Sequence, residues 1–349
     1  HTLAIESAKQ IYSEGKIIMK KTFKAIISVL LVAVIVVACF TACSNNANNS
    51  EKSEKVYKVG ICQLTQHEAL DAATKGFRDA LTEKLGDKVV FDEQNASGES
   101  TNCTTIVSKF VSDKVDLILA NATPALTAAT EATNTIPIVG TSITDYATAL
   151  AISDWNGKTG INVTGTADLA PLKDQAAMIK ELVPNAKTVG ILYCSAEPNS
   201  KYQSDIVKSE LEALGYEVKV YTFVDSNDVL AVTQSAVQNC QALYIPTDNK
   251  AASNTELINS VTEPAKIPIV AGEEGICKGC GVATLSISYY DIGYKAGLMA
   301  YEILVNGANP AEMEIAYADS TTKKYMADRA AAIGVTIPDG YEAITVSAK

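Results

Sequence analysis

Val59-Gly60-Ile61 returns as Val189-Gly190-Ile191, and Ile136-Pro137-Ile138-Val139 returns as Ile267-Pro268-Ile269-Val270. The two offsets, 130 and 131 residues, nearly coincide. All four runs are rich in β-branched residues, and each pair stands at the same stage of an alternation of apolar strands and amphipathic helices. A repeat of this length is a whole lobe, so the chain reads as two similar α/β lobes with a cleft between them.

Working outward from the repeats, the first lobe alternates a strand at 56–64, a helix at 69–85, a strand at 89–91, a helix at 103–111, a strand at 115–120, a helix at 124–132 opening on Pro124, and a strand at 136–139. In the first helix, Leu70, Ala73, Phe77, Ala80, Leu81 and Leu85 share one face. The second lobe runs helix 171–182, strand 188–193, helix 202–214, strand 217–223, helix 229–239, strand 242–245, helix 255–261 and strand 267–270. Strands without polar alternation, separated by helices, predict doubly wound, Rossmann-like parallel sheets covered on both faces. A tail follows, with strands at 282–287 and 314–317 and helices at 292–304 and 325–333. It exceeds what either lobe needs, so three crossovers are expected. The N-terminal lobe takes residues 56–165 and 288–320, and the C-terminal lobe 166–287 and 321–349.

The 349 residues are enough for two cores. The net charge is −11, and residues 1–42 carry five Lys against two Glu, so the remainder is more acidic still. Such a field repels a phosphate backbone and argues against nucleic-acid binding. Met19-Lys20-Lys21-Thr22-Phe23-Lys24 followed by an apolar run at 25–40 reads as a bacterial secretory signal over 19–42, with residues 1–18 upstream of it. Thr41-Ala42-Cys43 resembles a lipoprotein cleavage site. Cys43 is the favoured lipidation site, Cys39 competes with it, and a plain transmembrane anchor is the alternative. Residues 43–55 are polar and read as a flexible tether. The protein is thus expected outside the cytoplasm, held on the cell membrane by its N-terminal lipid.

Six cysteines remain. Cys62 and Cys194 fall in or at the ends of apolar strands and read as small buried hydrophobes. Cys277-Lys278-Gly279-Cys280 is an isolated pair without a nearby His, so free thiols or a local disulfide are expected rather than a metal. Gly157-Lys158-Thr159 imitates the end of a phosphate-binding loop, but Ile152 stands where Gly is required. With no nucleophile elbow and no metal triad, no enzyme activity and no cofactor are expected.

In open parallel sheets, ligands sit beyond the carboxyl ends of the strands. The loops at those ends (63–68, 121–124, 141–145, 195–200, 246–249 and 271–275) are rich in hydroxyls, amides and carboxylates. The opposite loops are blander. A buried zwitterion needs a partner for each charge. Asp145, Asp248, Glu197 and Glu273 or Glu274 are candidates for an ammonium. Thr123 before Pro124, and Asn199-Ser200, suit a carboxylate. His67, Thr144, Asp168, Thr247 and Asn249 complete the candidate set. The repeat predicts Thr123 and Asp145 facing Asp248 and Glu274 across the cleft.

Several motifs carry a resemblance over most of the chain. They are His67-Glu68-Ala69-Leu70-Asp71 with Lys75-Gly76-Phe77, the run from Lys109 through Asp116-Leu117-Ile118, Ala122-Thr123-Pro124-Ala125, Asn162-Val163-Thr164-Gly165, Leu182-Val183-Pro184-Asn185, Tyr244-Ile245-Pro246-Thr247-Asp248-Asn249 and Tyr289-Tyr290. From Lys58 to about Pro338 the chain resembles the tryptophan/tyrosine-type substrate-binding lipoproteins of ABC importers. That resemblance implies the type I periplasmic-binding-protein fold, a monomeric receptor, and a permease and ATPase as separate chains. It also implies a small-molecule ligand, foremost an aromatic amino acid. Other amino acids, sugars or nucleosides are the alternatives, as is a sensor of the same fold. Glu68 departs from the Pro usual in that family, and Cys277 and Cys280 replace an aliphatic residue and Gly.

Overall fold

The computed structural model describes residues 55–345. The signal, the tether before residue 55, and Cys39 and Cys43 lie outside them.

The first sheet contains β1 (Tyr57–Gln63), β2 (Val89–Asn95), β3 (Leu117–Asn121), β4 (Ile138–Ile143) and β5 (Val163–Ala167) in the order β2-β1-β3-β4-β5, all parallel. Its helices are α1 (Glu68–Leu85), α2 (Ser100–Ser112), α3 (Thr123–Ala132) and the short α4 (Tyr146–Ala149). The chain then crosses over through α5 (Leu172–Leu182) to the second sheet. That sheet contains β6 (Thr188–Cys194), β7 (Glu217–Phe223), β8 (Ala242–Ile245), β9 (Ile269–Ala271) and β10 (Ala283–Ser286) in the order β7-β6-β8-β9-β10. This is the order of the first sheet repeated. Its helices are α6 (Pro198–Ala213), α7 (Val229–Asn239), α8 (Asn249–Ala252), α9 (Thr255–Thr262) and α10 (Glu274–Gly279).

The repeated sequence occupies the same place in both sheets. Gly60 lies in β1 and Gly190 in β6, each in the strand at which the order reverses. A Cβ on Gly60 would come within 2.6 Å of the Phe110 ring of α2, and one on Gly190 within 2.6 Å of Leu243. At both places a neighbouring side chain presses onto the strand, from the covering helix at Gly60 and from the paired strand β8 at Gly190.

A second crossover leads from β10 into α11 (Tyr289–Asn306), which returns to the first lobe and packs along α1. The approach is close: a Cβ on Gly293 would lie 2.0 Å from the Ala73 carbonyl, and one on Gly76 2.1 Å from that of Tyr290. Residues 313–317 then run beside β5, with Ala316 bridged to Thr166 and Glu314 to Lys158. The third crossover delivers β11 (Thr322–Tyr325), α12 (Ala327–Ile333) and β12 (Glu342–Ala343) to the second sheet.

β11 pairs antiparallel to β10, so the second sheet is mixed rather than purely parallel. Its sequence, Thr-Lys-Lys-Tyr, carries no apolar run. The lysines fit because their heads find carboxylates, Lys323 with Glu181 at 2.6 Å and Lys324 with Glu274 at 2.7 Å. The last helix therefore begins at Ala327, not Tyr325. β5 is equally silent in sequence. Its Thr166 is buried because the hydroxyl donates to Thr141 Oγ1 at 3.0 Å. Helix α6 starts earlier than its apolar pattern, at Pro198, and so takes Asn199 and Ser200 into its first turn.

Candidate ligand-binding site

The strand ends of both sheets meet around a small, tightly closed cavity. The first lobe contributes His67, immediately before α1, Leu70 within it, and Ser142 and Thr144 at the end of β4. The second contributes Asn199 from α6, the Thr247-Asp248-Asn249 run leading into α8 with Ala252 beyond it, and Glu273 before α10. Asp168 and Tyr289 come from the first and second crossovers.

Ser142 reaches the cavity through a backbone irregularity. The pairing of β4 with β5 shifts register between Gly140 and Ile143, and Ser142 has φ +56°. A bulge with a non-glycine residue in the left-handed region re-aims the strand end at some cost in strain. No sequence signal marks it, and Ser142 was not among the expected site residues. Leu70, Ala252 and Tyr289 were likewise missed as lining residues.

Four of the residues that line the cavity carry a buried polar atom without a hydrogen-bond partner among the described residues: His67 Nδ1, Ser142 Oγ, Asp168 Oδ1 and Asn199 Oδ1. Each is costly to leave unpaired. The rest of the same side chains is firmly held. The Tyr289 hydroxyl donates to Asp168 Oδ2 at 2.8 Å. Asn199 Nδ2 donates to the Thr247 carbonyl at 3.1 Å, which leaves its Oδ1 as the atom facing the cavity. His67 Nε2 lies 3.1 Å from Asn249 Oδ1.

Three carboxyl groups on the cavity wall are buried. Burial pushes the Asp168 carboxyl above its ordinary value, against the opposing pull of the Tyr289 and Thr144 hydroxyls and of its own backbone N–H. Burial, reinforced by nearby Glu197, raises Asp248 to about 7, and burial raises Glu273 to about 7. The last two have structural work. Asp248 accepts from the backbone N–H of Ala251 and of Cys194, both at 2.7 Å. Glu273 accepts from the N–H groups of Gly275, at 2.6 Å, and Ile276. Asp168 is the carboxylate with a free oxygen. Burial lowers His67, so the imidazole is neutral.

The remaining candidates sit elsewhere. Thr123 is buried at the start of α3 but does not line the cavity. Asp145 caps α4, accepting from Thr148 N at 2.7 Å. Glu197 and Ser200 lie behind the wall, Glu197 receiving Asn249 and Lys250. Glu274 faces a wider, more open recess on the crossover side, where it is engaged by Lys278, Lys324 and Ser286. Across the cavity it is Ser142 and Thr144 that face Asp248 and Glu273, in place of the expected Thr123 and Asp145 facing Asp248 and Glu274. Side chains one position away from the expected ones reach the cavity, because Asp145 turns back to cap its own helix and Glu274 finds cations outside. The charged groups of the recess are largely paired with one another, which makes the smaller cavity the better site.

The lobes touch across the cleft. Besides His67 with Asn249, Gln203 Nε2 donates to Thr247 Oγ1 at 2.6 Å and reaches Thr144 Oγ1 at 3.5 Å. Lys250 Nζ donates to the Gly98 carbonyl at 3.3 Å, and Lys278 pairs with Glu68. These are the contacts of a closed cleft. The six cysteines described are free and buried, and burial raises Cys277 and lifts Cys280 to about 12, which disfavours their thiolates. Among the described residues no cluster of three His, Cys, Asp or Glu is arranged to hold a metal, and no helix is long and apolar enough to cross a membrane.

Two α/β lobes joined by three crossovers and closing on one small polar cavity are the architecture of two-lobed solute-binding proteins. Residues 58–349 match the family described as ABC transporter substrate binding protein, and the chain belongs to that family. It is 38% identical over 308 residues to a tyrosine-binding protein of Clostridioides difficile (strain R20291), covering 85% of this chain and 89% of that one. A crystal structure of an ABC domain in complex with L-Trp from Streptococcus pneumonia is 31% identical. It matches with a TM-score of 0.78 over 82% of this chain and 99% of that one. A ligand-free, open substrate-binding protein with adhesive properties from Clostridium difficile is 36% identical. It gives a TM-score of 0.64 over 84% of this chain and all of that one. The lobes superpose better on the complex than on the open protein despite the lower identity, in keeping with the contacts across the cleft. Proteins of this family bind small molecules for transporters and work outside the cytoplasm.

Proposed function

We propose that this protein captures an aromatic amino acid between its lobes and delivers it to a membrane permease driven by a separate ATPase. The observation that carries the reading is the set of four unpaired polar atoms on residues that line one enclosed cavity. Asp168 Oδ1 and Asn199 Oδ1 are acceptors suited to an ammonium, and the Ser142 hydroxyl is a donor suited to a carboxylate. The named ligands of the relatives support the aromatic class. Binding draws the open lobes together, and the closed face is what the permease meets. The lipid on Cys43 would keep the receptor, a monomer, near its permease.

A thermal-unfolding screen over amino acids, sugars and nucleosides tests the class. A ligand at 100 times its Kd adds about 2.7 kcal/mol to stability. Stabilisation by aromatic amino acids is expected; stabilisation by sugars or nucleosides alone would defeat the proposal.

A further inference from the structure

The hydrogen-bond network around His67 fixes more than its position. Glu197 Oε2 accepts from Asn249 N at 3.1 Å and Oε1 from Lys250 N at 2.9 Å, so both oxygens meet backbone donors and act as acceptors. Asn249 Nδ2 donates to the same carboxylate at 2.7 Å. That assignment turns Asn249 Oδ1 toward His67 Nε2, 3.1 Å away, and an amide oxygen only accepts. The proton of the neutral imidazole therefore sits on Nε2. The other nitrogen, Nδ1, is left as a bare acceptor, buried and unpartnered, in a residue that lines the ligand cavity.

The position of this acceptor in the cavity tells what it meets. Leu70 follows His67 by three residues at the start of α1, and Ala252 follows Asn249 by three in α8, so the two aliphatic side chains of the lining flank the His67–Asn249 pair. Asp168, Ser142, Thr144 and Asn199, with Thr247, Asp248 and Glu273, supply the rest of the polar lining. The imidazole thus stands beside the two aliphatic side chains of the lining, where a side-chain ring can pack.

We propose that Glu197 and Asn249 are positioning residues that hold His67 in the Nε2–H tautomer, and that Nδ1 thereby selects amino acids whose aromatic ring carries an O–H or N–H donor over phenylalanine. This rests on the amino-acid reading of the cavity. A ligand lacking the donor leaves Nδ1 unpaired in the closed site, which is how hydrogen-bonding sites reject isosteres.

His67 is the one histidine beyond residue 1, so a ¹⁵N-histidine spectrum of the mature protein reports it alone. The expected spectrum shows one protonated Nε2 and one unprotonated Nδ1. A protonated Nδ1, an imidazolium, or a mixture of tautomers would overturn the relay. Glu197→Gln replaces one acceptor oxygen by a donor and is expected to mix the tautomers; an unchanged spectrum removes Glu197 from the relay. Calorimetric titration of L-tyrosine, L-tryptophan and L-phenylalanine tests the selection. Tyrosine or tryptophan is expected to bind at least about tenfold more tightly than phenylalanine, a gap that His67→Phe collapses. Phenylalanine binding as tightly to the wild-type protein would refute the selection while leaving the amino-acid reading intact. If none of the three binds, the amino-acid reading fails and the selection with it, while the imidazole spectrum still decides the relay.

Discussion

Replacing Asp168 with Asn separates ligand binding from folding more sharply than any other change at the cavity. The carboxylate is 5% exposed. One oxygen takes the Tyr289 hydroxyl at 2.8 Å, and the other faces the cavity with no partner among the described residues. Burial raises its pKa, which means that the ligand-free fold carries the charge at a cost. Asparagine keeps the shape and can still accept from Tyr289 through its amide oxygen. Ligand-free stability should therefore hold or rise. Affinity should fall, because removing one partner of a buried, hydrogen-bonded charge pair costs about 2–5 kcal/mol, or about 30-fold to several thousand-fold in Kd. The signs also separate with pH. The folded carboxyl keeps its proton above the unfolded value of 3.8, so its effect on ligand-free stability worsens as pH rises from there through the raised folded value. The affinity for an ammonium improves over that same window. Calorimetric titration with L-tyrosine and urea unfolding of the ligand-free proteins give both quantities. A variant that unfolds more easily yet binds within about threefold of wild type would make Asp168 a structural residue and refute the reasoning.

Asp248 and Glu273, raised to about 7 from ordinary values of 3.8 and 4.5, hold protons in the fold that the unfolded chain has lost. Their contribution to ligand-free stability should decline as pH rises across that interval, and the decline should be shallower in Glu273→Gln when unfolding is followed by circular dichroism against pH. Lys278→Met removes the Glu68 contact across the cleft; for a partly exposed pair worth about 0.2–1 kcal/mol, the apparent Kd should weaken by no more than about fivefold and lose part of its salt dependence, read by titration at two ionic strengths. Gly293→Ala sets a methyl group against the Ala73 carbonyl, and overpacking of this kind should cost about 1–3 kcal/mol in urea unfolding.

The repeated runs around Gly60 and Gly190 made the architecture legible because their place recurs: both lie in the strand where the order reverses, each crowded by a neighbouring side chain. What stayed silent were strands whose polar residues are satisfied by distant partners. β5 depends on Thr141 and β11 on Glu181 and Glu274, none of them visible as local pattern. In the site, the loops were identifiable from their polarity, and His67, Asp168, Asn199 and the Thr247-Asp248-Asn249 run all line the cavity. Which carboxylate keeps a free oxygen was not. Asp145, Asp248 and Glu273 all sit before helices and spend oxygens on backbone N–H groups, and only coordinates distinguish them from Asp168. Ser142 was beyond reach for another reason: a register shift in β4 aims it.

A crystal structure of the mature protein with L-tyrosine tests the central claim most directly. The expected complex has the ligand ammonium about 3 Å from Asp168 Oδ1 and Asn199 Oδ1, its ring between Leu70 and Ala252, and the lobes closed through His67 and Asn249. A ligand seated instead in the crossover-side recess against Glu274 and Lys324, with the Asp168 oxygen still unpaired, would contradict it.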